Sequence, residues 1–212
     1  MKSYGELCAV ARALDIVGER WTLLIVRELL IRGQARFTDL QRGLPGVASN
    51  LLAQRLRDLE DHGVLFRDAA PPPVAGSIYR LTERGLALDG VIRELLKWGA
   101  PTIPDAPKKA SFQMHWLSMP ARHVLHDGRP DEPPVTIRFG DVRDGFDLTA
   151  AGGDIEVAPC DPAQTPATTI AGPGPALVGL IQGAIPLARA SEEGIEIIGD
   201  PGALARVLPR GQ

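Results

Sequence analysis

The chain has 212 residues, of which 44% are hydrophobic, enough for one large or two small packed domains. Its formal net charge is −3, against a generic nucleic-acid coat, but the charge is uneven: residues 1–100 sum to +2 and residues 101–212 to −5. Two cysteines, Cys8 and Cys160, are too few for a disulfide framework, and no apolar run is long enough to span a membrane. The opening MKSYGELCAV has neither the apolar core nor the cleavage site of a secretory signal, so the expected location is the cytoplasm.

In chain order, residues 7–32 are helical in pattern with a break at Gly18. The first piece, LCAVARALDIV, is apolar on most sides, which predicts burial in its own domain or against a partner chain. The second, RWTLLIVRELLIRG, stops at Gly33, and FTDLQRGL predicts a short third helix over 37–44. SNLLAQRLRDLEDHGVL follows a PGVA turn. At about 100° per residue, Leu52, Leu56 and Leu59 share one side, while Asn50, Ala53, Gln54, Arg57 and Asp61 share the other. Ser49 is the expected N-cap and Gly63 the expected C-terminal stop, giving a helix over about 49–62. VLFRDA, APPPVAG and SIYRLT read as strand, turn and strand, and TERGLALDGVIRELLKWG as one further helix capped by Thr82.

A short helix, a tight turn and a second helix with an outward polar face, followed directly by a hairpin, is the arrangement of a winged helix-turn-helix, with the Ser49 helix in the recognition position. Of the basic residues in 1–100, twelve are arginines, whose planar forks suit phosphates and guanine edges; an arginine-rich genome would also supply them.

GERW at 18–21, RFTDL at 36–40, the segment from Ser49 to Leu59, and YRLTERG at 79–85 occur in order across residues 7–100. In this the chain resembles the HxlR family of bacterial transcription regulators, relatives of the MarR family. Many members have CP near the start; here Ala9 follows Cys8. The resemblance implies a homodimer on palindromic double-stranded DNA, with dimer contacts from the first and last helices, base contacts from the Ser49 helix, and backbone or minor-groove contacts from the wing. Carried onto this sequence, the DNA-binding candidates are Arg36, Ser49, Asn50, Gln54, Arg55, Arg57, Arg67 and Arg80. Each arginine could instead serve a surface ion pair, Arg55 above all, because it falls beside the buried stripe. The wing tip APPPVAGS contains no Arg or Lys. Some HxlR relatives sense oxidants through a cysteine near the N-terminus, where Cys8 lies; the apolar run around Cys8 instead predicts a small buried side chain.

Residues 101–110, Pro-rich and polar, are the expected linker between a winged-helix domain at 1–100 and a second domain at 111–212. Beyond it SFQMHWLS, ARHVL, PVTIRF, GFDLTA, GDIEVAP, ATTIAG and IEIIG read as strands, and GPALVGLIQGAI, PLARASEEG and DPGALARVL as helices. The expected class is α+β with a mostly antiparallel sheet. GDIEVAP, then ATTIAG leading into ALVGLIQGAI, then GIEIIGDPGALARVL, resemble the sterol-carrier-protein-like fold over roughly 110–208. Family members often carry acids around the ATTIAG strand, and TPATTIAGPGP has none. That resemblance implies an apolar tunnel for a hydrophobic small molecule, with Trp116, Phe139 and Leu180 as candidate walls beside Phe112, Met114, Ile137, Leu177 and Ile181; a filled core is the alternative for each. His123, His126 and Asp127 have a metal-like spacing without further ligands nearby, and no nucleophile motif or phosphate loop occurs. Neither an enzyme, a metal site nor a cofactor is therefore expected. The reading is a dimeric transcription regulator, a repressor controlled by a hydrophobic effector. Its alternatives are a second domain that only dimerises, and a carrier of hydrophobic molecules.

Overall fold

A computed structural model describes residues 3–69, 76–107 and 109–208. The chain divides into two compact units, Met1–Leu95 and Leu96–Gln212.

The first unit opens with helices α1 (Ala9–Val17) and α2 (Thr22–Arg32), strand β1 (Gln34–Arg36), and helices α3 (Phe37–Gly43) and α4 (Ser49–Asp61). Strands β2 (Leu65–Ala69) and β3 (Ser77–Leu81) follow, then helices α5 (Glu83–Leu86) and α6 (Asp89–Gly99), the last of which crosses the boundary between the units. The three strands form an antiparallel sheet in the order β1-β3-β2. Ile25, Val26 and Leu29 of α2, Leu40 of α3, Leu52, Leu56 and Leu59 of α4, and Leu65 and Leu81 of the hairpin form one buried cluster. Fully burying such side chains is worth ~1.5–3 kcal/mol each, so the leucine stripe fixes which side of α4 faces outward.

Two expectations change here, the N-cap of α4 and the single helix after the wing. β1 adds a strand between α2 and α3 and pairs with the wing. The N-cap of α4 is Ala48; Ser49 is the first helical residue, and its hydroxyl accepts from the Gln41 amide on α3. The helix after the wing is two helices: Leu88 N–H bonds Gly85 C=O, a tighter i→i+3 turn that breaks the ladder before α6. α1 buries only Ala11 and Val17 within the chain, leaving Leu7, Val10 and Leu14 exposed around it.

After α6 comes a 3-10 turn, Ala100–Asp105, which overlaps the segment expected as a linker. A second 3-10 turn, Met114–Leu117, leads into α7 (Ser118–Val124). SFQMHWLS and ARHVL are thus helical turns, not strands. The alternation of Phe112, Met114 and Trp116 is misleading. His115, Ser118 and Met119 are buried here, but the residues that join the core are Leu117, Ala121 and Leu125, spaced i, i+4, i+8, and Pro120 sits in the first helical turn, where its missing N–H costs nothing.

Strands β4 (Val135–Phe139), β5 (Phe146–Ala151), β6 (Asp154–Pro159), β7 (Thr168–Ala171) and β8 (Glu196–Gly199) form a sheet in the order β6-β5-β4-β7-β8, antiparallel except between β4 and β7. Helices α8 (Gly174–Ile181) and α9 (Pro201–Val207) complete the unit, and PLARASEEG contributes only a 3-10 turn, Leu187–Arg189. One sheet face, including Ile137, Phe139, Phe146, Leu148 and Ile170, packs with Leu117, Ala121, Leu177, Leu180, Leu204 and Val207 in a single core. Arg206 crosses this unit to grip Asp127 through two bonds of 2.6 and 2.7 Å, and also donates to the Pro133 carbonyl. That guanidinium holds the Asp127 carboxyl well below the usual carboxylate range.

Candidate nucleic-acid interface

The outward face of α4 is the one the leucine stripe dictates: Asn50, Gln54, Arg57 and Asp61 are exposed, and Ala53 is half-buried. Both ends of this helix are fixed. At its C-terminus, Val64 N–H bonds Leu59 C=O and Gly63 N–H bonds Glu60 C=O, a Schellman closure with Gly63 at φ +66°. The YRLTERG segment locks that closure to the wing. Thr82 N–H donates to Val64 C=O, and the Thr82 hydroxyl donates to Gly63 C=O at 2.7 Å and accepts from Gly85 N–H. Arg84 donates to His62 C=O at 3.0 Å. Gly85 lies so close that a Cβ there would stand 2.1 Å from the Val64 carbonyl oxygen.

The GERW segment supports the same helix from the other side. Trp21 has φ +78°, a left-handed conformation that costs a bulky residue roughly 1–2 kcal/mol. Its ring packs against the core of the unit and reaches Gly46, in the turn that leads into α4, and the Arg20 guanidinium lies 5.4 Å from the ring centroid. Glu19 bonds Arg55 of α4 at 3.0 Å.

The eight DNA-binding candidates therefore separate. Asn50, Gln54 and Arg57 share the outward face of α4, with Ser49 at its start. Asn50 Oδ1 accepts from Leu51 N–H at 2.9 Å. Arg55 stands apart: its side chain is 15% exposed and is held by Glu19 and by Asp58 at 2.8 Å. Arg36 begins α3, where its N–H donates to Asp39 at 3.1 Å. The register pairs Phe66 with Arg80, Arg67 with Tyr79, and Arg36 with Ile78. Because side chains alternate along a strand, Arg36 and Arg80 share the outer face of the small sheet, and Arg67 points to the opposite one. Arg80 lies 4.0 Å from Asp68, an exposed pair. The wing tip at 70–75 falls outside the described residues.

Sequence reasoning missed Glu19, Thr82 as more than a cap, and Gly85. Their signal was present in the GERW and TERG segments, but only the fold shows that both converge on α4.

Cys8 corrects an expectation. It is exposed at the start of α1, because the apolar residues around it are not covered within the chain. The N–H groups of Ala11 and Val10 draw its thiol pKa below the ordinary value. Cys160 is the opposite case: burial, then the Asp147 carboxylate, pushes its thiol up to about 11.

In the second unit, Phe139 and Leu180 are core residues: Phe139 is 0% exposed and stacked on Phe146 at 4.9 Å between centroids, and Leu180 is equally buried. Trp116 does not join them; it sits half-buried on the 3-10 turn, edge-on to His115. Asp127 of the HVLHD segment is committed to Arg206, and no metal-holding group of His, Cys, Asp and Glu occurs among the described residues. No described helix is long and apolar enough to cross a membrane.

Residues 16–106 match the model of the HxlR-like helix-turn-helix family. The HTH-type transcriptional regulator YvaP of Bacillus subtilis (strain 168) is 37% identical over 99 residues, covering 46% of this chain and 91% of that protein. The HTH-type transcriptional regulator Rv3095 of Mycobacterium tuberculosis (strain H37Rv) is 43% identical over 130 residues, 61% of this chain and 66% of its own length. Among solved structures, the reduced form of the transcriptional regulator YodB from B. subtilis is 30% identical, covers 48% of this chain and all of its own, and gives a TM-score of 0.41. With a helix-turn-helix and wing in the first unit and a family match over residues 16–106, the chain belongs to the HxlR family of winged helix-turn-helix, DNA-binding transcriptional regulators.

Proposed function

We propose that the chain acts as a homodimeric cytoplasmic repressor that reads a palindromic operator through two copies of α4. The observation that carries this reading is the exposed Asn50–Gln54–Arg57 face on a helix anchored at both ends. The homodimer rests on apolar side chains that are exposed among the described residues. Leu7, Val10 and Leu14 on or beside α1, and Val91, Leu95 and Trp98 on α6, are exposed, Trp98 by 80%. Arg36 and Arg80 supply phosphate contacts beside the helix, and Arg67 contacts from the wing edge. Selection of randomised duplexes with the full chain tests the reading: a two-fold symmetric sequence is expected, and enrichment of no sequence would refute it.

For the second unit, the helix-backed, mostly antiparallel sheet agrees with a sterol-carrier-like domain, but its packing favours the structural alternative. A hydrophobic effector contacting Trp116, Phe139 and Leu180 would need to open the Phe139–Phe146 stack. The unit accordingly strengthens the regulator rather than carrying a preformed tunnel.

Cys8 is the redox-responsive thiol in this reading, on its exposure and its lowered pKa. With limiting maleimide on native protein, Cys8 is expected to label well before Cys160. Equal or slower labelling of Cys8 would remove it from that role.

A further inference from the structure

Resting on α4 as the DNA-reading helix, we propose that Gln54 does not read a base but positions Arg57, as the last link of a buttress that begins at Glu19. Four contacts form one continuous line. Glu19 Oε2 accepts from Arg55 Nη2 at 3.0 Å, and Asp58 Oδ2 accepts from Arg55 Nη1 at 2.8 Å. Asp58 Oδ1 accepts from Gln54 Nε2 at 2.8 Å, and Gln54 Oε1 accepts from Arg57 Nη2 at 2.8 Å.

The chemistry of the two ends fixes the amide in the middle. A carboxylate only accepts and a guanidinium only donates, so Gln54 must turn its NH2 to Asp58 and its oxygen to Arg57. Bidentate reading of adenine needs both amide groups turned to the base edge. Doing so would release Arg57 and leave one Asp58 oxygen facing the DNA without its donor. Arg57 keeps its remaining N–H groups, on an exposed side chain, for the N7 and O6 acceptors of a guanine. Asp58 and Glu19 bring negative charge beside a polyanion, and Arg55 between them offsets it. Glu19, from the GERW turn, and Arg55, on the flank of α4, are therefore positioning residues outside the reading face.

The test uses the duplex that the unmodified full chain enriches from a randomised library, with a scrambled duplex as the non-specific control. Arg57→Ala is expected to weaken the enriched duplex roughly tenfold or more and to relax preference at one base pair per half-site. Gln54→Ala should relax that same base pair and leave the scrambled duplex unchanged, and the double variant should be no weaker than Arg57→Ala alone. Exchanging the two groups, Gln54→Glu with Asp58→Asn, keeps an acceptor for Arg57 and a donor behind it, and should retain the preference. A loss at a different base pair in Gln54→Ala, additive with Arg57→Ala, would make Gln54 a reader and overturn the buttress alone; so would failure of the exchange variant with its fold intact. If Arg57→Ala changes no base preference, the reading face itself is misassigned and the buttress falls with it.

Discussion

Phe139→Ala is expected to destabilise the second unit by about 3–5 kcal/mol. The residue lies on β4, the central strand of the five-stranded sheet, is buried completely, and stacks on Phe146 with ring planes 5° apart. Leu177 and Leu180 belong to the same core, so removing the ring leaves a void that packed neighbours close only in part. Leu180→Trp should also destabilise, by ~1–3 kcal/mol, because it overfills the same space. Denaturant titration reads both. A domain built around an open apolar tunnel would respond differently: Leu180→Trp would leave stability nearly unchanged, and the unmodified protein would bind a fluorescent fatty acid. That pair of results would restore Trp116, Phe139 and Leu180 as ligand contacts.

Gly85→Ala should disable the regulator through its fold. The new methyl group would meet the Val64 carbonyl oxygen at 2.1 Å, and that oxygen is rigid backbone already bonded to Thr82 N–H. Relief requires α5 to move away from the end of α4, breaking the Thr82 bonds that join wing and recognition helix. The expected cost is at the upper end of the ~1–3 kcal/mol of an overpacked site, with DNA affinity lost in parallel. Gly63→Ala is the informative contrast. Its φ of +66° carries strain, but nothing lies within 4 Å of the added methyl, so a cost of about 1–2 kcal/mol without displacement of the wing is expected. Equal melting temperatures for Gly85→Ala and the unmodified chain would show that the close approach does not constrain the domain.

How far the sequence discloses this molecule depends on whether the cues are local. The stripe of Leu52, Leu56 and Leu59 sets the orientation of α4, and Gly63 sets its end, because helical periodicity and a left-handed cap are written within a few residues. The identity of the cap is not: Ser49 has the right chemistry for the N-cap, yet its hydroxyl is taken by Gln41 of the preceding helix. Arg55 shows the same limit. Its place beside the stripe leaves contact and ion pairing open, and only the approach of Glu19, thirty-six residues away in sequence, decides it. In the second unit the strands from PVTIRF onward are legible from alternation, whereas Phe112, Met114 and Trp116 alternate without forming one. There the i, i+4 placement of Leu117, Ala121 and Leu125 in the core wins over the aromatic pattern. Cys8 misleads for a different reason: an apolar neighbourhood implies burial, and here Leu7, Val10 and Leu14 around it are exposed.

The most direct measurement is the affinity of the full chain for its enriched duplex against a scrambled duplex of equal length, at several salt concentrations. Two copies of α4 reading a palindrome predict two inverted half-sites about one helical turn apart, at least ~10³-fold tighter binding than to the scrambled sequence, and a steep fall of both affinities with salt. Equal affinity for the two duplexes at every salt concentration, or a preferred site without two-fold symmetry, would contradict it.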